Sequence, residues 1–407
     1  MDTASSPVEH PRILVVYGKE LVSYVFGDEH PLQPSRYTLT MSLLSSLGWL
    51  ERSDVDMEPP RTASLDDLLL AHSYPYVQAV MCAQNMVEGE SERIDLSRYG
   101  LGTADNPLFP FMHDAAALYT GATIQAMRAI VDARAVHAYS PAGGQHHAMR
   151  ERASGFCIYN DCAAAIAAAT AAGHRVAYVD LDAHHGDGVQ TAFYGDPRVL
   201  TISLHESGRF LFPGTGWPYE TGEGEGIGYA VNVALPPGTR DSHWLRAFHA
   251  VALPLIRAYR PSVLVTQHGA DSHTLDPLTD LLLSVDGHRA SYKALHRLAH
   301  EVTGGRWIAL GGGGYETVQV VPRSWTQLIA IAAGRSLAGA TPTAWRDYVH
   351  DRAGAKAPTM FTDRMSTEYR PWEGGEGDPA SRIDQEINKT RQALFPLHGL
   401  DPDRSEY

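Results

Sequence analysis

Cysteine is scarce in this chain. Three in 407 residues (Cys82, Cys157 and Cys162) cannot build a disulfide framework, and Cys157 and Cys162 have no second pair to complete a zinc knot. They are expected to be packing thiols in a reducing cytoplasm. Positive charge is also short: 33 Lys and Arg stand against 47 Asp and Glu, a net charge of −14. That balance argues against non-specific binding to nucleic acid or to an anionic membrane face. Its plainest use is solubility. Long apolar runs are missing too. No stretch approaches the ~20 apolar residues of a spanning helix, and "MDTASSPVEH" has no apolar signal core. Residues 1–11 are expected to be a flexible N-terminus. Gly (37) and Pro (25) are not extreme, so the chain should fold, and 44% hydrophobic residues suffice for a large core.

What is present is a series of short apolar runs: "RILVVY" (12–17), "RAVHAY" (134–139), "RVAYVDL" (175–181), "RVLTISL" (198–204), "SVLVTQ" (262–267) and "RWIAL" (306–310). Near-continuous apolar character fits strands covered on both faces. Between them lie helical segments. One starts at a capping Asn160 and stops at Gly173; others span 242–259 and 291–302. Alternating strands and helices predict a parallel α/β sheet with helices on both faces. Residues 205–240 read as one long Gly/Pro-rich loop, whose Phe212 and Trp217 are candidates to wall a channel. Beyond about 340 the composition shifts. Residues 369–382 read as a linker, and 382–395 as an amphipathic helix with Ile383, Ile387 and Leu394 on one side, docking on the body or on a partner subunit.

Four chemically dense segments directly follow strands: "SPAGGQHH", "DAHHGD", "HGAD" and "GGGGY". Sites in open α/β sheets form at the carboxyl ends of strands, so all four should converge on one crevice. Other chemistries fail on spacing. His205-Glu206 and His300-Glu301 lack the second histidine of H-E-x-x-H, no G-x-S-x-G occurs, and the glycine runs match neither phosphate-binding pattern.

Asp182 and His184, two apart on extended chain, would face one side together, and Asp271 is the best-placed third ligand. Two carboxylates and one imidazole suit Zn²⁺ or Fe²⁺ with a position open to water. His146 and His147 follow two glycines and would supply acid–base chemistry, each oriented by a carboxylate, for which Asp180 and Asp187 remain. Tyr315, after four glycines, is a candidate hydrogen-bond donor to a developing oxyanion. His185 is left without a chemical role and is expected to be structural.

"AYSPAGGQHHA", "SGFCIYND", "VAYVDLDAHHGDGV", "FPGTG", "QHGADSHTLDPL" and "LGGGGY", with "HPLQPSR" and "GTADNPLF" upstream, resemble the metal-dependent histone deacetylase family, and within it the bacterial acetoin-utilisation type. The resemblance covers roughly residues 12–330. It implies the arginase–deacetylase fold, a single eight-stranded parallel sheet flanked by helices, with a catalytic domain over 12–335 and a C-terminal extension over 336–407. It implies one catalytic ion, Zn²⁺ or Fe²⁺, on Asp182, His184 and Asp271. The catalytic set becomes His146, His147, Asp180, Asp187 and Tyr315, with His147 the general base.

The substrate-binding set becomes Asp105 at the rim, Gly155, Phe156 and Phe212 along the tunnel, and Leu278. Arg36 matches an arginine near the inner cavity. A structural K⁺ is implied at Asp180, Asp182, His184, Ser203 and Leu204, and an outer one at Phe193, Val199 and Tyr229, where Asp196 departs from the usual hydroxyl residue. Gly186 and His273 replace the aspartates that a two-metal arginase-type site needs. Leu278 stands where polyamine-specific relatives can carry glutamate. The expected activity is removal of acetyl groups from lysine side chains of proteins by a metal-activated water, with acetylpolyamines as the alternative substrate and a silent acyl-lysine binding module as a remote one. Acetylated protein or peptide is the expected partner, homo-oligomers are allowed, and a cytoplasmic location is expected.

Overall fold

The computed structural model describes residues 13–89 and 95–405. The expected flexible segment 1–11 lies outside the described residues. Eight strands are formed: β1 (Ile13–Val16), β2 (Val55–Glu58), β3 (His137–Ser140), β4 (Val176–Asp180), β5 (Val199–Glu206), β6 (Ala230–Leu235), β7 (Val263–Gln267) and β8 (Trp307–Leu310). They make one sheet in the order β2-β1-β3-β8-β7-β4-β5-β6, and every pairing is parallel.

All six apolar runs become strands, and seven of the eight strands are buried along their whole length. Ala177, Val179, Leu200 and Ile202 face one packed layer, and Val176, Tyr178, Val199 and Val265 the other. Such two-sided burial explains why these segments read as unbroken apolar runs rather than alternating ones.

The stretch 205–240 is not one loop. Its first two residues finish β5, and Ala230–Leu235 is a buried edge strand, β6. Val231, Val233 and Leu235 join the core, while the flanking Gly and Pro hide the strand in the local composition. The helix expected over 242–259 is also broken. Asp241–Ala247 and Leu253–Tyr259 are α-helical, and Phe248–Ala252 is a π-helical turn. Pro254 has no N–H, and its ring would crowd the carbonyl four residues earlier; widening the preceding turn relieves both problems. The helix Asp161–Ala171 matches expectation: the Asn160 side chain caps the Ala163 N–H at 2.8 Å, and Gly173 turns left-handed at φ 88°.

Residues 336–405 pack on the main body. Trp345 and Val349 of the helix Thr343–Ala353 lie against Leu39 and Leu43. Ile383, Ile387 and Leu394 of the helix Arg382–Leu394 share a core with Val231 and Val233 of β6. A buried bidentate pair fixes that helix: Arg246 Nε and Nη2 donate to Asp384 Oδ1 and Oδ2 at 2.8 and 2.9 Å. Among the described residues, no helix is long and apolar enough to cross a membrane.

Candidate functional site

β3, β8, β7 and β4 are consecutive in the sheet, so the four dense segments emerge side by side at its carboxyl edge. Asp182, His184 and Asp271 meet there, all buried, with ligand atoms within 4.8 Å of one another. His184 Nδ1 lies 3.0 Å from Asp182 Oδ1 and 3.1 Å from Asp271 Oδ2. Both carboxylates are also held by neighbouring donors. Gln267 Nε2 and the Gly313 N–H both donate to Asp182 Oδ2 at 2.8 Å, and the Ala183 N–H donates to Asp271 Oδ1 at 2.8 Å.

Gly313 has to be glycine here. A Cβ at that position would stand 2.1 Å from Asp271 Oδ2 and 2.8 Å from Asp182 Oδ2. Burial and the Asp182 charge push the Asp271 carboxyl upward. Burial also opposes a charged His184, yet its two carboxylate partners raise it to about 10. The three groups therefore favour positive charge among them. Buried hard oxygens and one imidazole converging on a point fit a divalent ion such as Zn²⁺ or Fe²⁺.

Beside them, His146 and His147 share a contact of 3.0 Å between their Nε2 atoms. Each Nδ1 is held by a carboxylate: His146 by Asp180 Oδ2 and His147 by Asp187 Oδ1, both at 2.7 Å. Burial works against a charged His146, but the Asp180 and Asp182 charges overcome it and raise it to about 9. Burial and the neighbouring His146 lower His147 to about 4, against the pull of Asp187.

A histidine pair with separate carboxylates, set beside a carboxylate–imidazole cradle, is the arrangement the motifs implied. A family model described as the histone deacetylase domain matches residues 30–332. The chain belongs to the histone deacetylase family. The acetoin utilization protein AcuC of Bacillus subtilis (strain 168) is 42% identical over 353 residues, covering 86% of this chain and 89% of that protein. The protein of the same name from Staphylococcus aureus (strain MRSA252) is 37% identical, covering 86% and 90%. Among solved structures, an HDAC homolog from Aquifex aeolicus superposes with a TM-score of 0.78 at 27% identity, covering 93% of this chain and 99% of that one. An HDAC homolog complexed with SAHA gives 0.77 at 28%, covering 94% and 100%. The chain is thus an AcuC-type deacetylase-family hydrolase with the arginase–deacetylase fold, and the family implies a catalytic metal ion.

In this deacetylase-family site, aromatic rings wall the approach to the histidines. Phe212 stands 5.0 Å from the His147 ring and 6.5 Å from His184, centroid to centroid. Phe156 meets the ring of Tyr315 at 5.8 Å. Gly155 lies between the walls: at φ 51°, a Cβ there would meet His147 Cδ2 at 2.5 Å and Phe212 Cε1 at 2.9 Å. Burial and the Asp271 and Asp182 charges hold the Tyr315 phenol well above its usual range, so it stays a donor. Its N–H donates to Asp276 Oδ2 at 2.8 Å, and the Leu278 N–H donates to Asp276 Oδ1 at 3.0 Å. Half-buried Leu278 is thereby tied to the Tyr315 turn. Asp105 is exposed, and its carbonyl lies 3.4 Å from His30 Nε2, whose ring packs on Phe156 at 4.5 Å. Arg36 is fully buried and donates to the carbonyls of Gly312 and Gly314 at 2.9 and 3.2 Å.

Trp217 does not join the channel. It stacks on Tyr219 at 6.2 Å and borders a groove with Phe210 and the helix Arg382–Leu394, because the chain turns away after Gly216. His185 also points elsewhere, to Thr215 Oγ1 at 2.8 Å and Gln190 Oε1 at 3.1 Å, where it pins the loop that carries Phe212.

Among the residues of the implied K⁺ sites, Ser203 pairs with Asp180 across β4 and β5, and its Oγ is 2.8 Å from His205 Nδ1. Around Phe193, Val199 and Tyr229, the Asp196 N–H donates to the Phe193 carbonyl, and both Asp196 carboxylate oxygens are engaged by Arg198. The thiols of Cys157 and Cys162 are buried and free.

Sequence reasoning missed a supporting layer. Asp161 accepts the N–H groups of Gly144 and Gln145 at 3.0 and 2.7 Å and so shapes the turn before the histidines. Asn160 holds the carbonyls of His146 and Ala148. The Tyr178 hydroxyl donates to Asp180 Oδ2 at 2.7 Å. Asp276, Gln267 and His30 stand within the deacetylase-like motifs but carry no spacing signal of their own.

Proposed function

We propose that the chain hydrolyses the acetyl amide of lysine side chains in proteins or peptides. The observation that carries this reading is the pair of carboxylate-held histidines facing the Asp182–His184–Asp271 cradle at the end of an aromatic-walled approach. Phe156 and Phe212, on either side of Gly155, suit a neutral, slender acyl-lysine stem by burial of its methylenes. Asp105 at the rim is suited to accept N–H groups of a peptide backbone. Leu278 provides no acidic partner for a polyamine chain.

Asp182, His184 and Asp271 would hold Zn²⁺ or Fe²⁺, which polarises a carbonyl and acidifies a water when bound. His147, kept neutral, takes the proton of the attacking water. Asp187 holds its other nitrogen and supports the charge that develops. His146 stays cationic between Asp180 and His147 and acts as an electrostatic aid; either histidine then protonates the leaving amine. Tyr315 donates from its hydroxyl to the developing oxyanion. A structural K⁺ on Asp180, Asp182, His184, Ser203 and Leu204 belongs to this proposal, with the Phe193–Val199–Tyr229 site secondary because Asp196 is committed to Arg198. So does a cytoplasmic location.

The test is side-by-side turnover of an acetyl-lysine peptide and N-acetylspermidine by protein loaded with Zn²⁺ or Fe²⁺. Preference for the peptide is expected. Exclusive use of the polyamine transfers the reading to acetylpolyamine hydrolysis, and turnover of neither sinks the enzyme reading. Tyr315→Phe should lose about 2.7–4 kcal/mol of transition-state stabilisation, roughly 10²–10³ in kcat, with metal content intact. Unchanged turnover removes Tyr315 from the mechanism.

A further inference from the structure

His137 begins β3, at the opposite end of that strand from the segment leading to His146. His296 and His300 sit one turn apart on the helix Val285–Thr303, which packs against β8 and places both rings over His137. The His296 Nε2 atom lies 3.2 Å from His137 Nε2 and 3.2 Å from His300 Nε2. One imidazole nitrogen makes one good hydrogen bond, as donor or as acceptor, so both short contacts cannot be well formed at once. The three rings each offer a nitrogen within 4.8 Å of the other two, close enough for one ion to reach all three. A tetrahedral ion bound at about 2.0–2.1 Å separates its nitrogen ligands by roughly 3.3 Å.

We propose that His137, His296 and His300 form a second metal site, for a late first-row divalent ion such as Zn²⁺, bound through three imidazoles with a water completing the set. The site lies apart from the catalytic cradle and needs nothing from the deacetylase reading.

The ring of His137 is buried, that of His296 is half-buried, and His300 is exposed, so a fourth ligand position opens to solvent. Trp307 backs the cluster, 5.5 Å from the His137 ring and 5.7 Å from His296. Burial lowers His137 to about 3 and His296 to about 4, with further depression from the neighbouring rings and, for His296, from Arg297. These two histidines are therefore neutral, as ligation requires, at any physiological pH. Bound metal would clamp the last turn of the helix Val285–Thr303 to the start of β3.

The experiment is a Zn²⁺ count on untagged, full-length protein, stripped with chelator and dialysed against Zn²⁺, for the wild type, His300→Gln and His296→Gln. His300 is exposed, so H300Q removes its imidazole without opening a cavity in the buried core. Each variant should bind one Zn²⁺ per chain fewer than the wild type. Excess Zn²⁺ should raise the melting temperature of the wild type above that of H300Q at the same concentration. Equal counts in the three proteins overturn the proposal. The count is read without substrate, so a chain that binds the extra ion but deacetylates nothing leaves this site standing while the enzyme reading falls.

Discussion

Substituting Gly313 by alanine tests the cradle with a single methyl. The backbone there is not left-handed, so alanine is conformationally allowed, and the damage is confined to what the Cβ meets. Asp271 Oδ2 would have to retreat about 0.9 Å to reach the 3.0 Å below which real contacts essentially never fall, and Asp182 Oδ2 about 0.2 Å. Neither carboxylate has free space. The other oxygen of Asp271 is fixed by the Ala183 N–H, and Asp182 Oδ2 is held by both Gln267 and the Gly313 N–H itself. The displacement therefore opens the Asp182–His184–Asp271 triangle instead of being absorbed elsewhere. A misplacement of that size at a reacting centre costs on the order of 10²-fold in rate. The assays are metal content after dialysis, kcat on an acetyl-lysine peptide, and thermal unfolding. G313A should lose bound catalytic metal and at least about 10²-fold in kcat while still unfolding cooperatively. A variant that keeps wild-type metal affinity and turns over within about twofold would refute the placement of the ion among these three residues.

Two other outcomes are expected. Because the carboxylates beside it, Asp180 first, hold His146 protonated above the ordinary imidazole range while burial keeps His147 neutral, kcat/KM should decline on the alkaline side, where His146 loses its proton. His146→Asn should lower turnover and abolish that alkaline limb; a limb that persists in H146N assigns it to another group. Asp384→Ala leaves the buried Arg246 guanidinium without its carboxylate and should cost about 3–5 kcal/mol of stability, read by urea unfolding. A loss below about 1 kcal/mol would show that the C-terminal helix is held by its apolar face alone.

The parts of this molecule legible in the sequence are those whose signal is local. Asp180 to Asp187 lies within one strand end and the turn after it, so an Asp-x-His spacing already places two ligands on one side. The strands β3, β4, β7 and β8 announce themselves because two-sided burial makes them uniformly apolar. β2 does not, because only Val55 of "VDME" is buried at the sheet edge. β6 does not, because its apolar residues sit between Gly-rich and Pro-rich turns. Trp217 was misjudged for a related reason: proximity to Phe212 in the chain says nothing about direction after the backbone turns at Gly216.

The supporting contacts are illegible for a different reason, and the same reason hides the histidine trio. Asp161 reaches back to the turn at Gly144, Tyr315 leans on Asp276, and His30 meets the Asp105 carbonyl 75 residues away. Each partner has its own local explanation as a cap, a turn residue or a surface polar group, and only the sheet order makes them neighbours. His296 and His300 form an i, i+4 pair that any helical reading puts on one face, but Arg297 stands where H-E-x-x-H needs its glutamate, so the zincin pattern passes over it. The third imidazole comes from His137, 159 residues before His296, and is delivered by the β3–β8 pairing that sets His137 beside Trp307. A metal site assembled from a strand start and a helix end leaves no motif. Such sites have to be sought in the nitrogen-to-nitrogen distances, and here His296 Nε2 stands 3.2 Å from both other rings, a shared position that one ion can serve and one proton cannot.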